Sequence, residues 1–175
     1  SAGVYGCGPI GLLLIRALRA AGAGTIRATD ALEHRVDQAR ASGADDVRLT
    51  DADGQPEGVE DWGPVDVTFE AAGENAAVET ALRTVRTGGR VVIVGIPPTD
   101  CTSFPAALGR EKGITIALSR RMKQHHMGKA IALVDRGAVD LAGIITARYT
   151  ISQGPEAFSE LVHRSGLKIV IKPSE

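Results

Sequence analysis

From residue 2 to residue 137, short apolar runs alternate with longer stretches whose apolar positions recur at helical spacing. Val4-Tyr5 and residues 25–29, 47–49, 65–70, 90–95 and 114–118 read as strands. The run at 90–95 is β-branched almost throughout, as in a strand covered on both faces. Helices are predicted over about 9–21, from after Asp30 to Ser42-Gly43, and over about 75–85, 106–111 and 128–136. In the first, Ile10, Leu14 and Leu18 form the apolar stripe and Arg16 and Arg19 point elsewhere. In the second, Val36 and Ala39 point inward and Arg35, Asp37 and Arg40 outward. Gly22 and Gly88-Gly89 read as a stop and a turn, and Pro97-Pro98 ends a strand. Residues 51–63, acidic and rich in Gly and Pro, read as a surface loop that Trp62 anchors. Parallel neighbours need crossover connections, so this alternation predicts an α/β, doubly wound parallel sheet of six strands.

Beyond residue 143 the pattern changes. A strand is expected over 144–149, then an amphipathic helix over 152–163 carrying Ala157, Phe158, Leu161 and Val162, then a last strand over 166–171. These pieces exceed what the sheet needs. Residues 1–143 are therefore read as one domain and 144–175 as a segment of another lobe. The chain opens only a few residues before its first glycine turn, so a fragment of a longer protein is expected.

The chemistry concentrates at that turn. Gly6, Gly8 and Gly11 form a Gly-x-Gly-x-x-Gly run between the first strand and the first helix. Gly6 permits a tight turn, Gly8 lets backbone approach a pyrophosphate, and Gly11 lets the helix pack on the strand. The helix N-terminus offers N–H groups and partial positive charge to phosphates, and Pro9 suits the first helical position because it lacks an N–H. The second strand ends in Asp30, about 20 residues past the last glycine, where a carboxylate can accept hydrogen bonds from the ribose hydroxyls of NAD and would repel the 2′-phosphate of NADP. The six strands then fit the Rossmann order 3-2-1-4-5-6, with ligands at the carboxyl ends. A bland alternative makes the glycine run a packing turn and Asp30 a helix cap.

Composition narrows the partners. The 175 residues are 43% hydrophobic and 23% charged, with 21 Gly and 3% aromatics, which suits a sheet wrapped by helices. A net charge of −1 favours neither nucleic acid nor an anionic membrane as partner. No apolar run reaches the roughly 20 residues that span a bilayer. Cys7 and Cys101 form no close metal spacing, which makes a reduced, cytoplasmic compartment the default. Cys7 reads as a small space-filler. His125-His126 gathers no second Cys or Asp cluster, so no metal is assigned in this chain. His34 and His163 fall on expected exposed helix faces, and no Ser-His-Asp arrangement stands out.

Gly6-Cys7-Gly8-Pro9-Ile10-Gly11-Leu12, Thr29-Asp30 with Arg35, Gly43-Ala44-Asp45, Phe69-Glu70-Ala71-Ala72-Gly73, Gly88-Gly89-Arg90-Val91-Val92 and Gly166-Leu167-Lys168-Ile169 together resemble the zinc-type medium-chain dehydrogenases, nearest the polyol (sorbitol-like) and threonine dehydrogenase branch. The resemblance implies the coenzyme domain plus a C-terminal return segment of a GroES-like catalytic lobe. It implies that Gly6, Gly8, Pro9, Ile10 and Gly11 hold the pyrophosphate, that Asp30 binds the adenosine ribose and that Arg35 lies along the adenine side. Ala72 and Gly73 would pass beneath the nicotinamide ribose. Val94, Gly95 and Ile96 would meet the nicotinamide through backbone groups, and Ala117, Leu118 and Ser119 would do so from the other side. Arg35 reads equally well as part of a solvated helix face, and the apolar positions as plain strand ends.

The polyol branch carries Phe-Arg-Tyr after the last strand. Here Ser119-Arg120-Arg121-Met122 keeps Arg120, a possible substrate contact, and puts Arg121 in place of the Tyr, so the resemblance leaves open which polyol, sorbitol included, is the substrate. The loop with Arg120, Arg121, Lys123, His125 and His126 reads as a solvated basic loop, or as one that meets an anionic substrate. The function implied is oxidation of a secondary alcohol or polyol by hydride transfer to NAD, with zinc in a lobe outside this chain and no catalytic residue within it. Pairing across the apolar edge strand at 114–118 is implied in a homodimer or homotetramer. A non-catalytic NAD-binding regulatory or redox-sensing module is the rival class, disfavoured by the tail. An adenosylmethionine-dependent methyltransferase is disfavoured by the Pro-Ile in the glycine run.

Overall fold

The computed structural model describes residues 1–119 and 121–173, and of Glu60 the backbone only. Contacts divide the chain into Ser1–Val139 and Asp140–Glu175, slightly before the boundary expected at residue 143.

The first unit holds β1 (Ala2–Tyr5), α1 (Pro9–Ala20), β2 (Ile26–Asp30), α2 (Glu33–Ala41), β3 (Asp46–Leu49), β4 (Val65–Glu70), α3 (Asn75–Thr84), β5 (Val85–Ile93), α4 (Ala106–Lys112), β6 (Thr115–Leu118) and α5 (Gln124–Asp135). The strands form one sheet in the order β3-β2-β1-β4-β5-β6, parallel at every pairing. This is the doubly wound α/β architecture that the alternating pattern predicts. The register sets the site: Tyr5 lies opposite Thr29 and Glu70, Glu70 opposite Ile93, and Ile93 opposite Leu118. All carboxyl ends therefore open at one level.

The core follows from chain chemistry. Val4, Leu12, Ile15, Ile26, Leu82 and Val91 are fully buried, and each such side chain contributes about 1.5–3 kcal/mol relative to exposure. Trp62 anchors the 51–63 loop as expected. It is buried, its indole N–H donates to Asp46 at 2.5 Å, and the Arg27 and Arg48 guanidinium groups lie 5.7 and 4.9 Å from its ring.

Three local expectations need correction. The buried side of α1 is Gly11, Leu12 and Ile15, while Ile10 is 55% exposed. The helix has a polar side at Arg16 and Arg19, yet its apolar stripe is not its most buried side. The Gly88-Gly89 turn lies within β5, where pairing with β4 jumps from Val65↔Val85 to Val67↔Arg90. Finally, α5 starts at Gln124 and not near Gly128. The Lys123 N–H donates to His126 Nδ1 at 3.2 Å, and the His126 N–H donates to the Lys123 carbonyl at 2.9 Å. His125 and His126 thus belong to a first helical turn and not to a loop. Their rings meet edge-on, with centroids 4.1 Å apart.

The second unit is a small β-α-β arrangement: β7 (Ile145–Thr150), α6 (Gly154–His163) and β8 (Lys168–Lys172), with the strands parallel. Ala157 is the buried residue of α6, while Phe158, Leu161 and Val162 are exposed.

Candidate functional site

Gly6 leaves β1 with φ +101°, a conformation that favours glycine. A Cβ there would lie 2.6 Å from the Ala72 nitrogen and 2.8 Å from the Ala71 carbonyl carbon. The turn after β1 thus rests on the loop after β4, where the strand order reverses and ligands bind in such sheets. A Cβ on Gly11 would strike the Gly6 carbonyl oxygen, so the start of α1 can pack this closely only as glycine. Around Gly8, by contrast, the one atom within 4 Å of an added Cβ is Arg35 Nη1, at 3.7 Å. Gly8 is the N-cap of α1 and Pro9 follows at its first position. The helix start carries no side-chain cap and no acidic residue in its first turn, leaving its positive end to an anion.

Asp30 is buried and holds this turn. Its Oδ2 accepts the Cys7 N–H at 2.7 Å, and its Oδ1 accepts the Leu32 N–H at 2.9 Å ahead of α2. Asp30 does not cap α2, whose N-cap is Leu32 without a side-chain cap bond; each of its carboxylate oxygens keeps a second lone pair, so ribose hydroxyls can still be bound. Arg35 departs from the outward placement expected of it. Its guanidinium leans on Gly8, and its Nε is buried with no hydrogen-bond partner among the described residues. Burial, and next the Asp30 charge, push the Cys7 thiol well above its usual range against the pull of Arg35. Cys7 is therefore a protonated space-filler whose backbone N–H does the work.

The remaining predicted residues line the same end of the sheet. Ala72 and Gly73 give their N–H groups to Glu70 Oε1, at 2.7 and 2.5 Å. Val94 and Gly95 give theirs to the Glu70 carbonyl, at 2.8 and 3.0 Å. Their N–H groups are thus engaged within the protein, and the Ile96 carbonyl packs against Gly73. The Ser119 N–H donates to the Ile93 carbonyl at 2.8 Å. Ile10, Ile96 and Leu118 are 55, 90 and 78% exposed at the carboxyl ends of β1, β5 and β6, an apolar rim suited to flat rings. Arg120 lies outside the described residues.

The residues present fit a dinucleotide. The glycine cradle would be filled by a Cβ, the α1 N-terminus is uncapped, and the unpartnered Arg35 Nε stands beside it. They do not form a zinc site: among the described residues no group of three or more His, Cys, Asp or Glu is placed to hold a metal. No helix among them is long and apolar enough to cross a membrane. Glu70 stands in the sequence only as part of the family motif, with no role of its own, although a charged residue closing a buried strand was a signal that it holds its neighbours.

A sequence model of the family described as zinc-binding dehydrogenase matches residues 9–136. The chain belongs to that family. It is 31% identical to a sorbitol dehydrogenase of Bacillus subtilis (strain 168), over 98% of this chain and 50% of that protein. It is 35% identical to an alcohol dehydrogenase of Cupriavidus necator, over 97% of this chain and 48% of that protein. Among solved structures, a zinc-binding dehydrogenase of Sinorhizobium meliloti 1021 bound to NADP matches with a TM-score of 0.85 at 25% identity, covering 99% of this chain and 52% of that one. The chain spans about half the length of the curated relatives it matches.

Proposed function

We propose that this chain is the NAD-binding portion of a zinc-dependent alcohol or polyol dehydrogenase that transfers a hydride from a secondary alcohol to NAD. The glycine turn supports this most: Asp30 anchors it through the Cys7 N–H, and Gly8 lies open beneath the Arg35 guanidinium. Gly6, Gly8, Pro9, Ile10 and Gly11 would hold the pyrophosphate, with Arg35 adding positive charge beside it. Asp30 would accept from the adenosine ribose hydroxyls. Ala72 and Gly73 would pass under the nicotinamide ribose. Val94, Gly95 and Ile96 on one side, and Leu118 and Ser119 on the other, would orient the ring and keep water from it. When bound, NAD supplies the hydride acceptor. The zinc that the family description implies would be held by residues outside this chain.

The polyol and alcohol specificities of the relatives support a small alcohol or polyol as substrate. Residues 144–175 would belong to the catalytic lobe, Arg120 would reach the substrate, and the enzyme would be a cytoplasmic homo-oligomer. Calorimetric titration with NAD and then NADP tests the proposal. Binding of NAD with NADP at least tenfold weaker, a difference of about 1.4 kcal/mol, is expected. A preference for NADP overturns the role of Asp30, and binding of neither overturns the cofactor assignment.

A further inference from the structure

We infer that Glu70 is a positioning residue for the nicotinamide end of the cofactor, a role that presupposes the NAD-binding function proposed above. Glu70 closes β4 and is fully buried with no ion pair among the described residues, which is rare for a carboxylate. It ties two loops together. Its side-chain Oε1 accepts the Ala72 and Gly73 N–H groups, and its main-chain carbonyl accepts those of Val94 and Gly95. Its Oε2 has no hydrogen-bond partner among the described residues.

Three glycines close the space around this knot. A Cβ on Gly95 would come within 2.6 Å of Glu70 Oε2 and 2.7 Å of the Gly73 Cα. A Cβ on Gly73, whose φ is +80°, would strike the Ile96 carbonyl. A Cβ on Gly6 would meet the Ala72 nitrogen. The pyrophosphate turn therefore touches the 71–73 loop, that loop touches 95–96, and Glu70 fixes the spacing of all three. An apolar side chain of similar volume would fill the position without leaving a buried oxygen unpaired. What it would lack is the acceptor that draws residues 72 and 73 inward. The part of the cofactor that depends on that spacing is the nicotinamide riboside half, beyond the pyrophosphate. The adenosine half is held by Asp30 on the far side of β1.

The test compares the affinities of Glu70→Met, Glu70→Gln and wild type for NAD and for AMP. Methionine fills the space without the acceptor, whereas glutamine keeps one amide oxygen for both N–H groups. Loss of two backbone hydrogen bonds predicts NAD binding weakened about tenfold or more in Glu70→Met, with AMP changed by less than about twofold and Glu70→Gln close to wild type. Glu70→Leu, which also fills the space without an acceptor, is expected to give the same split between NAD and AMP and serves if Glu70→Met does not fold. The inference is overturned if Glu70→Met binds NAD like wild type, if NAD and AMP weaken in equal proportion, or if Glu70→Gln loses as much as Glu70→Met. Wild-type protein that binds neither ligand overturns the cofactor assignment itself, and the role of Glu70 with it.

Discussion

At the residue scale, the turn after β1 leaves almost no latitude. Gly11 meets the Gly6 carbonyl at a distance that no Cβ tolerates. Gly11→Ala must push α1 off β1, a form of overpacking that costs about 1–3 kcal/mol and lowers Tm by roughly 2–4 °C per kcal/mol in a chain of this size. Because the same movement carries the N-terminus of α1 away from a bound pyrophosphate, NAD affinity should fall as well. Scanning fluorimetry with and without NAD checks both, and an unchanged Tm would show that the contact relaxes freely. Gly8→Ala is the contrasting case. An added Cβ would meet only Arg35 Nη1, at 3.7 Å, an ordinary contact, so Tm should hold while NAD binding weakens.

At the element scale, one carboxylate ties three elements together. Asp45, just ahead of β3, accepts the Ile26 N–H at the start of β2 at 2.7 Å and pairs with Arg19 from the last turn of α1. Its carboxyl is held below the usual aspartate range, chiefly by the Ile26 N–H bond and then by Arg19, with desolvation opposing. A depressed folded-state value means that the stabilisation is complete above the ordinary aspartate value of about 3.9 and is lost as pH falls through the lower folded value. Asp45 is partly exposed, so solvent screens the Arg19 pair, and the backbone bond dominates. Asp45→Asn is expected to destabilise by about 1 kcal/mol at pH 7, with the gap to wild type narrowing below about pH 4. Urea melts across that range measure it, and a gap of equal size at pH 3 and pH 7 would exclude this linkage.

At the scale of the whole molecule, β3 and β6 are the two edges of the sheet. Beyond β3 the chain folds back in a Thr50–Pro56 bridge. At β6, Leu118 is 78% exposed, and on α5 Met127, Ile131 and Val134 are also exposed. Open apolar edges are pairing surfaces, so the protein is expected to self-associate through β6. Light scattering should give a dimer or tetramer, and Thr115→Lys, a charge placed on the exposed edge, should shift it toward monomer. A monomeric wild type at micromolar concentration would rule out this use of the edge.

The period of the apolar runs, the crossover lengths and the glycine spacing determined the strands, the helices and the place of the glycine turn, because each is set by local geometry; the strand order was legible only as a fit to a known pattern, since β1 pairs with β4 across 65 positions. Asp30 was legible from local geometry too: it closes the next strand at a fixed distance. What only the tertiary structure decided lies between elements distant in sequence. Arg35 turned from solvent to Gly8 because α2 packs beside the turn. Glu70 gained its partners from loops that the parallel register brings to one level. Periodicity reports which side of an element is apolar, whereas hydrogen bonds between loops depend on where the other strands end.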